Sequence, residues 1–462
     1  MANFVFAAAK ATTTVQEAPA IVTVLVADEL DDFGARNVIE LLDGVPGWLR
    51  FSAFFHELKS TFTRGTTQGM LLLHNGVSLF DPMLNYSVAT RIIPIETLKR
   101  IEVVTGPGGL LWGANSYMGV VNLVSKDAED VDGVEAAVGF GSGRGDLTAL
   151  RGYVLLGVPK IGSDAIQLFA HASFDSFEGA QYRKPYLLLD SPQPQPRSQA
   201  FYGPMVDSNP PRSFMFNFDG TLTAGPLKLS WSYPIAAEQH PLGVSGAVLL
   251  EDLPEDRLPE CSPVDPASPE ASNPLDHCID RGRVARQNRF EFFDRYGIAQ
   301  LDTRFWDGAA GLQLKGYLVK FVRRWQPFFV YPPINGLLEG GLSFRNDMSS
   351  YRAGSSLDGN ISFGRRVRLL YGGEAFREWL PATENSRSRQ APGVEVTFDG
   401  PYDLGRLPLA CPLYAAWDQN NSRVDPASIE YVPNCPLTFA FAAHRTVLGG
   451  FGSVKLKPWD TL

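Results

Sequence analysis

No stretch of this 462-residue chain holds the roughly 18 consecutive apolar residues that a membrane-spanning helix needs. That absence excludes helical spans alone, because a strand that crosses a bilayer alternates apolar and polar side chains and leaves no long hydrophobic run. Charged residues are sparse, at 20%, and sum to -9 without a basic stripe. Nucleic acid, whose phosphate backbone requires such a stripe, is therefore excluded as a partner. The six histidines are scattered, and no His/Cys cluster has metal-site spacing. A nucleophile elbow and a Gly-Lys-Ser/Thr phosphate loop are both missing. The sequence thus offers no catalytic residue, no metal site and no cofactor site. Met1 to Lys10 carries an apolar patch but neither a basic leader nor a small-residue cleavage site, so no secretory signal is read there.

Cysteine occurs four times, in two local pairs: Cys261 with Cys278, and Cys411 with Cys435. Each pair lies in a polar stretch rich in Pro, Asn and Asp that reads as a long loop. The close C-x-x-C spacing of zinc and redox sites is absent, and two loop-closing disulfides in an oxidising compartment fit the pattern. Free thiols remain the open alternative. Each closure would contribute about 3 kcal/mol.

Glycine (44), proline (34) and phenylalanine (30) are plentiful, which suits a turn-rich β protein. To about Lys126 the pattern is mixed. Ile21 to Val26 is a β-branched run, and Asn37 can cap a short helix carrying Val38, Leu41 and Leu42, stopped by Gly44, Pro46 and Gly47. Short strands fit Met70 to Leu73, Ile101 to Thr105 and Val120 to Ser125, with an Asn75-Gly76 hairpin turn after the first. Pro94 reads as the first residue of a helical turn.

After Asp127 the period becomes two. Ile166, Leu168, Ala170, Ala172 and Phe174 share one face while Gln167, His171, Ser173 and Asp175 take the other; Phe214, Phe216 and Phe218 alternate likewise with Asn217 and Asp219. A soluble sandwich would alternate too. The connections favour a barrel: short turns such as Gly225-Pro226 alternate with long excursions at about 176–211, 237–288 and 381–438, the asymmetry of outer-membrane barrels.

Several segments of the first region, in order, resemble the plug domain of TonB-dependent outer-membrane receptors. They are Ala18 to Leu30, Ala35 to Trp48, Arg64-Gly65, Leu71 to Val77 and, most specifically, Ile95 to Lys126 with Ile101-Glu102-Val103, Gly106-Pro107, Trp112-Gly113 and Gly119 onward. His74 and Thr105 depart from the pattern, standing where the family usually has aspartate and arginine.

The resemblance implies an N-terminal segment over 1–17, an α+β plug over 18–127 and an antiparallel transmembrane β-barrel over 131–462. Roughly ten strands fit the last region, against the ~22 of a plugged transporter, so the barrel is expected to be incomplete and the chain truncated or completed by a second one. The function implied is energised uptake of a scarce ligand such as a siderophore, cobalamin or oligosaccharide, at the bacterial outer membrane, with no chemistry on the substrate. A β-rich, adhesin-like binding protein is the alternative. The implied partners are TonB, outer-membrane lipid and a small ligand such as a metal chelate.

Ligand would meet the plug apices, with Phe54, Phe55, His56, Phe80, Asn85 and Tyr86 as candidates; packing against barrel loops is the competing reading of those side chains. The family joins plug arginines to wall glutamates, which here points to Arg64, Glu102 and Glu374. Phe4, Val5 and Phe6 lie where TonB would add a strand to a sheet edge.

Overall fold

Short β-branched and leucine-rich runs build the N-terminal unit. The computed structural model describes residues 4–7, 10, 13–14, 20–27, 30, 34–35, 37–52, 59–63, 69–82, 87, 92–106, 112–113, 116–143, 146–162, 166–178, 183–187, 202–207, 212–239, 289–331, 342–364, 366–381, 383–388, 437–440 and 442–456. Strands β1 (Phe4–Val5) and β2 (Thr13–Thr14) pair with each other. Next come β3 (Ile21–Val26), helix α1 (Val38–Leu42) and the hairpin of β4 (Trp48–Ser52) with β5 (Lys59–Thr63). Then follow β6 (Met70–His74), β7 (Val77–Ser78), β8 (Leu98–Thr105) and β9 (Gly119–Ser125). The central sheet has the order β3-β8-β9-β6-β7, antiparallel except where β6 lies beside β9.

Local chemistry sets the boundaries of these elements. Asn37 begins α1 by accepting the Glu40 amide at 3.1 Å, and Val38, Ile39, Leu41 and Leu42 are buried. Asn75 and Gly76 both take positive φ, 51° and 77°, so β6 folds back tightly onto β7. Pro94 stands one residue earlier than expected: it caps the 3-10 turn Ile95–Thr97, its carbonyl accepting from Thr97 Oγ1 at 2.7 Å. Helix α2 (Ala128–Val131), closed by a capping box at Asp127, leads out of this unit.

The remainder is a wall. Its strands are β10 (Gly133–Gly143), β11 (Asp146–Val158), β12 (Ile166–Glu178), the separate hairpin β13 (Arg183–Leu187) with β14 (Tyr202–Asp207), β15 (Arg212–Ala224), β16 (Leu227–Ser232) and β17 (Ile235–Gln239). They continue with β18 (Arg289–Phe305), β19 (Ala310–Tyr331), β20 (Leu342–Asp347), β21 (Ser350–Phe363), β22 (Val367–Leu380), β23 (Thr383–Ser388), β24 (Leu437–Ala440) and β25 (Ala443–Leu456). Fourteen of them form one antiparallel sheet. Successive segments β16/β17, β20/β21, β22/β23 and β24/β25 run on from each other, which leaves ten staves. The links at one end are short (159–165, 225–226, 306–309 and 364–366), and the long excursions fall at the other end, which also has the two-residue link 144–145. Among the described residues the sheet does not close: β10 and β25 are its edges. The first and third excursions are shorter than the spacing suggested, because β13, β14 and β23 take up parts of them.

Burial decides between sandwich and barrel. A soluble sandwich hides its apolar faces, whereas here Val138, Phe140 and Leu448 are 73, 80 and 78% exposed, while Lys315, Arg323, Arg352 and Glu378 are all buried. A polar inside and an apolar outside are stable only against hydrocarbon. The alternation read at β12 runs the same way: His171 is buried facing inward, and Ile166 and Ala172 are exposed on the opposite face. The N-terminal unit packs on the inner face in a shared core, where Leu72, Ile101 and Val121 meet Tyr317, Val319 and Phe321 of β19.

Candidate functional site at the plug and wall interface

Wall strands that bury cations need acceptors on what they enclose, and the N-terminal unit supplies them. Toward the long-loop end, Arg323 of β19 is wholly buried. Its Nε lies 2.7 Å from Asp81 just beyond β7, Nη2 lies 2.7 Å from Asp294 of β18, and Nη1 donates to the carbonyls of Phe293 and Val322 at 3.1 and 2.8 Å. Ser350 also donates to Asp81, at 3.4 Å. On β21, Arg352 donates to the carbonyls of Ser78 and Phe80, at 2.8 and 2.9 Å, and is itself held by Glu378 of β22. Arg445 of β25 binds the other oxygen of Glu378. Two wall arginines therefore clamp residues 78–81, a stretch that includes Phe80, one of the expected apical residues. Pairing of this completeness is what makes buried charge tolerable, and removing one partner from such a pair costs ~3–5 kcal/mol.

Nearer the short-turn end the contacts are of the same kind. Lys315 Nζ donates to the Asn75 carbonyl at 3.0 Å. Arg151 of β11 pairs with Glu96, and His171 of β12 lies 3.4 Å from Glu96 and 3.0 Å from Asp219 of β15. Burial alone would raise the Glu96 carboxyl, but the His171 imidazole and the Arg151 guanidinium outweigh it and hold the group below the usual carboxylate range. His74 hydrogen bonds Tyr296 of β18 through Nδ1 and Ser125 through Nε2, the latter at 2.7 Å. Complete burial pulls its pKa down to about 4, against a smaller upward pull from Asp219, so it is neutral at physiological pH. A neutral ring has one nitrogen that donates and one that accepts, so His74 donates to one of Tyr296 and Ser125 and accepts from the other.

The N-terminal segment is also held. One oxygen of Glu102, a buried side chain of β8, accepts the amides of Phe6 and Ala7 at 3.0 and 2.9 Å and the Asn122 amide group at 3.2 Å; Arg100 binds the other. Val5 is buried with Leu71, Leu73 and Val104, and Trp112 Nε1 donates to the Ala7 carbonyl at 2.7 Å.

Several expectations change on this geometry. Glu102 secures the N-terminal segment instead of touching the wall, because its side chain points toward residues 6–7 and Asn122. Glu374 is placed inside the wall, where it accepts from Tyr317 of β19 at 2.5 Å. Phe80 is 1% exposed and packs with Leu71 and Leu73, so its ring is core, while its carbonyl accepts from Arg352 of the wall. Phe54, Phe55, His56, Asn85, Tyr86, Arg64 and the four cysteines lie outside the described residues, as does the side chain of Phe4. Asp81, Arg323, Arg352 and Lys315 were missed. The signal for the three wall residues was present in the period-two pattern, where charged residues on the polar face of a wall point at whatever it surrounds; Asp81, beyond β7 of the plug, carried no such signal.

The polarity of the interface is the reverse of the family arrangement expected from sequence: the described contacts put the cation on the wall and the acceptor on the plug. What the arrangement can do is grip a removable insert. Among the described residues it holds no array of nucleophile, base and oxyanion donors.

Residues 14–120 match the family model of the TonB-dependent Receptor Plug Domain. The vitamin B12 transporter BtuB of Vibrio vulnificus is 30% identical over 128 residues, 27% of this chain and 21% of that protein. The ferripyoverdine receptor of Pseudomonas aeruginosa is 28% identical over 113 residues, 24% of this chain and 14% of that one. Among solved structures, the pyoverdine outer membrane receptor FpvA from Pseudomonas aeruginosa PAO1 superposes with a TM-score of 0.60 at 15% identity, over 99% of this chain and 57% of FpvA. This chain therefore spans little more than half the length of that receptor.

Proposed function

We propose that this chain, whose residues 14–120 match the TonB-dependent receptor plug model and whose wall has the fold of part of a receptor barrel, belongs to an outer-membrane receptor for energised uptake of a small, scarce ligand. The observation that carries the reading is a plug seated on the polar inner face of a wall whose outer face is apolar. An adhesin with a soluble β domain would have no use for that inversion. Cobalamin, a ferric siderophore or an oligosaccharide are the ligand classes considered, the first two being what the similar receptors are named for.

No bond in the ligand is broken. Ligand meets the apical plug segments and the long-loop end of the wall, and TonB pairs with an extended N-terminal strand and pulls. Phe4, Val5 and Phe6 are the proposed strand. In the docked state Val5 is buried and the Phe6 amide is taken by Glu102, so this segment must leave the plug before its backbone can join another sheet. The wall clamps on Ser78, Phe80 and Asp81 hold the rest of the plug in place meanwhile.

The test is uptake of radiolabelled cobalamin and ferric siderophores by cells lacking their own receptors and expressing the complete reading frame, with and without TonB. TonB-dependent accumulation is expected. Deleting residues 2 to 9 should abolish accumulation and spare ligand binding; unchanged accumulation would remove the TonB assignment. Extraction only by detergent and heat-modifiable migration are expected of the barrel.

A further inference from the structure

Cations interrupt the apolar outer face of the wall toward its long-loop end. Tyr296, Val319 and Arg352 point inward to the plug, so alternation turns Arg295 of β18, Lys320 of β19 and Tyr351 of β21 outward. These three are successive cross-strand partners, and Trp379 of β22 continues the row. Arg295 Cζ lies 3.9 Å from the Tyr233 ring centre and Lys320 Nζ 5.3 Å from that of Tyr351, whose ring stacks on Trp379 at 5.3 Å and 8°. Arg377, two residues from Trp379 on the same face, is exposed as well. Strands β18 and β19 have neighbours on both sides, so the two central cations owe nothing to a sheet edge.

Height on the wall decides what surrounds these cations. Arg295, Lys320 and Arg377 each stand ten residues from the short-turn end of their strands. At ~3.3 Å per residue and a tilt of ~40°, that is about 25 Å, the full depth of a barrel's apolar band. They therefore stand at the headgroup level of the outer leaflet. Directly opposed like charges destabilise a sheet, and among the described residues none of the three makes an ion pair. Arg295 Nε donates to the Pro234 carbonyl at 3.2 Å, which fixes the guanidinium and leaves its two terminal nitrogens for an acceptor. The outward carboxylate of Glu291 is 3.6 Å from Arg324 and so is already engaged. Nearer the short turns the surface is shallow. Ala299, Gly316, Ser355 and Ala375 form a row across four strands, and a Cβ built on Gly316 would meet nothing within 4 Å.

We infer that this row of the outer wall binds a phosphate-bearing anionic lipid of the outer leaflet. The phosphate bridges Arg295 and Lys320 and meets Arg377, and an acyl chain lies over the small side chains at Ala299, Gly316 and Ser355. The cations select an anionic headgroup over a zwitterionic one, and the shallow row selects a lipid over a free anion. The inference rests on the outer-membrane reading, and the two can fail separately. A protein with heat-modifiable migration and no lipid preference removes the site alone, whereas a protein that stays in solution without detergent removes the reading itself.

The probes are dioleoylphosphatidylglycerol and dioleoylphosphatidylcholine, offered in equal amounts to the protein expressed from the complete reading frame and purified in a non-ionic detergent. Native mass spectrometry reads which lipid stays bound. Each basic side chain beside an anionic headgroup contributes about fivefold in affinity. The parent should therefore retain phosphatidylglycerol at least about tenfold over phosphatidylcholine, and Arg295→Gln combined with Lys320→Gln should weaken it about 25-fold. Lys160→Gln combined with Arg212→Gln removes the same charge elsewhere on the exposed surface and should behave as the parent does. Gly316→Trp has room to fold and fills the shallow row, so it should weaken retention with all three cations in place. These side chains face away from the plug, and heat-modifiable migration shows that each variant has folded. Equal retention of the two lipids by the folded parent, or a double variant that matches its charge-matched control, would overturn the site. So would full retention by Gly316→Trp, displacement of the lipid by millimolar inorganic phosphate, or a second copy of the chain in the lipid's place.

Discussion

Replacing Arg323 with leucine removes a guanidinium that joins plug to wall and leaves two carboxylates behind. The Asp81 and Asp294 side chains are 0 and 2% exposed, so neither can recover hydration without the interface opening. The carbonyls of Phe293 and Val322 lose a donor as well. Breaking a buried pair of this kind costs ~3–5 kcal/mol. At about 1.4 kcal/mol per decade, that raises the population of plug opened at residues 77–82 about 100- to 5,000-fold. Hydrogen exchange of the amides in that segment, in detergent, measures the population directly. The effect should change little with salt, because buried pairs are poorly screened. Combining Arg323→Leu with Asp81→Asn and Asp294→Asn removes the stranded charges and should recover most of the protection. Less than about tenfold faster exchange in the single variant, or a triple variant no better protected than the single one, would refute the claim that Arg323 holds the plug.

Acid should loosen the same interface through His74. Its folded pKa is depressed to about 4 from 6.5, so the stability it permits is complete above pH ~6.5 and falls as pH drops toward 4, by up to about 3 kcal/mol; His74→Gln should flatten that part of a melting-temperature-against-pH curve. Gly76→Ala forces a Cβ into positive φ and to within 2.7 Å of Lys315 Nζ, and the positive φ alone should cost ~1–2 kcal/mol in denaturant titration. Glu102→Ala strands the Phe6 and Ala7 amides, so trypsin should cut at Lys10 faster than in the parent, and an unchanged cleavage rate would show that the segment is held by other contacts.

The plug was legible because its signals are local and polar to the backbone. Asn37 before Val38-Ile39-Glu40-Leu41-Leu42 and Asn75-Gly76 after a leucine strand state their conformations within a few residues, and both are realised. The wall was legible as period two, and the barrel reading also gave its direction: the apolar face meets lipid, so Ile166 faces out and His171 faces in, as the structure has them. The interface was the least legible part, because it joins residues more than 200 apart, such as Asp81 with Ser350 and Ser78 with Arg352. A paired carboxylate was sought on the wall for a plug arginine, while the structure uses wall arginines on plug oxygens. Glu102 was named as an interface residue by the family resemblance, and sequence does not tell that its partners are the Phe6 and Ala7 amides.

Two of the wall's basic residues, Lys315 and Arg352, take hold of the plug by main-chain oxygens at Asn75, Ser78 and Phe80. Main-chain oxygens are common to all residues, so this part of the socket does not read the identity of its insert, only its path. Side-chain scanning of those plug positions should therefore understate how firmly they are anchored, and correlated substitution between plug and wall should be weak there. A foreign plug that follows the same backbone course, and keeps acceptors matching Asp81 and Glu96, should seat in this wall.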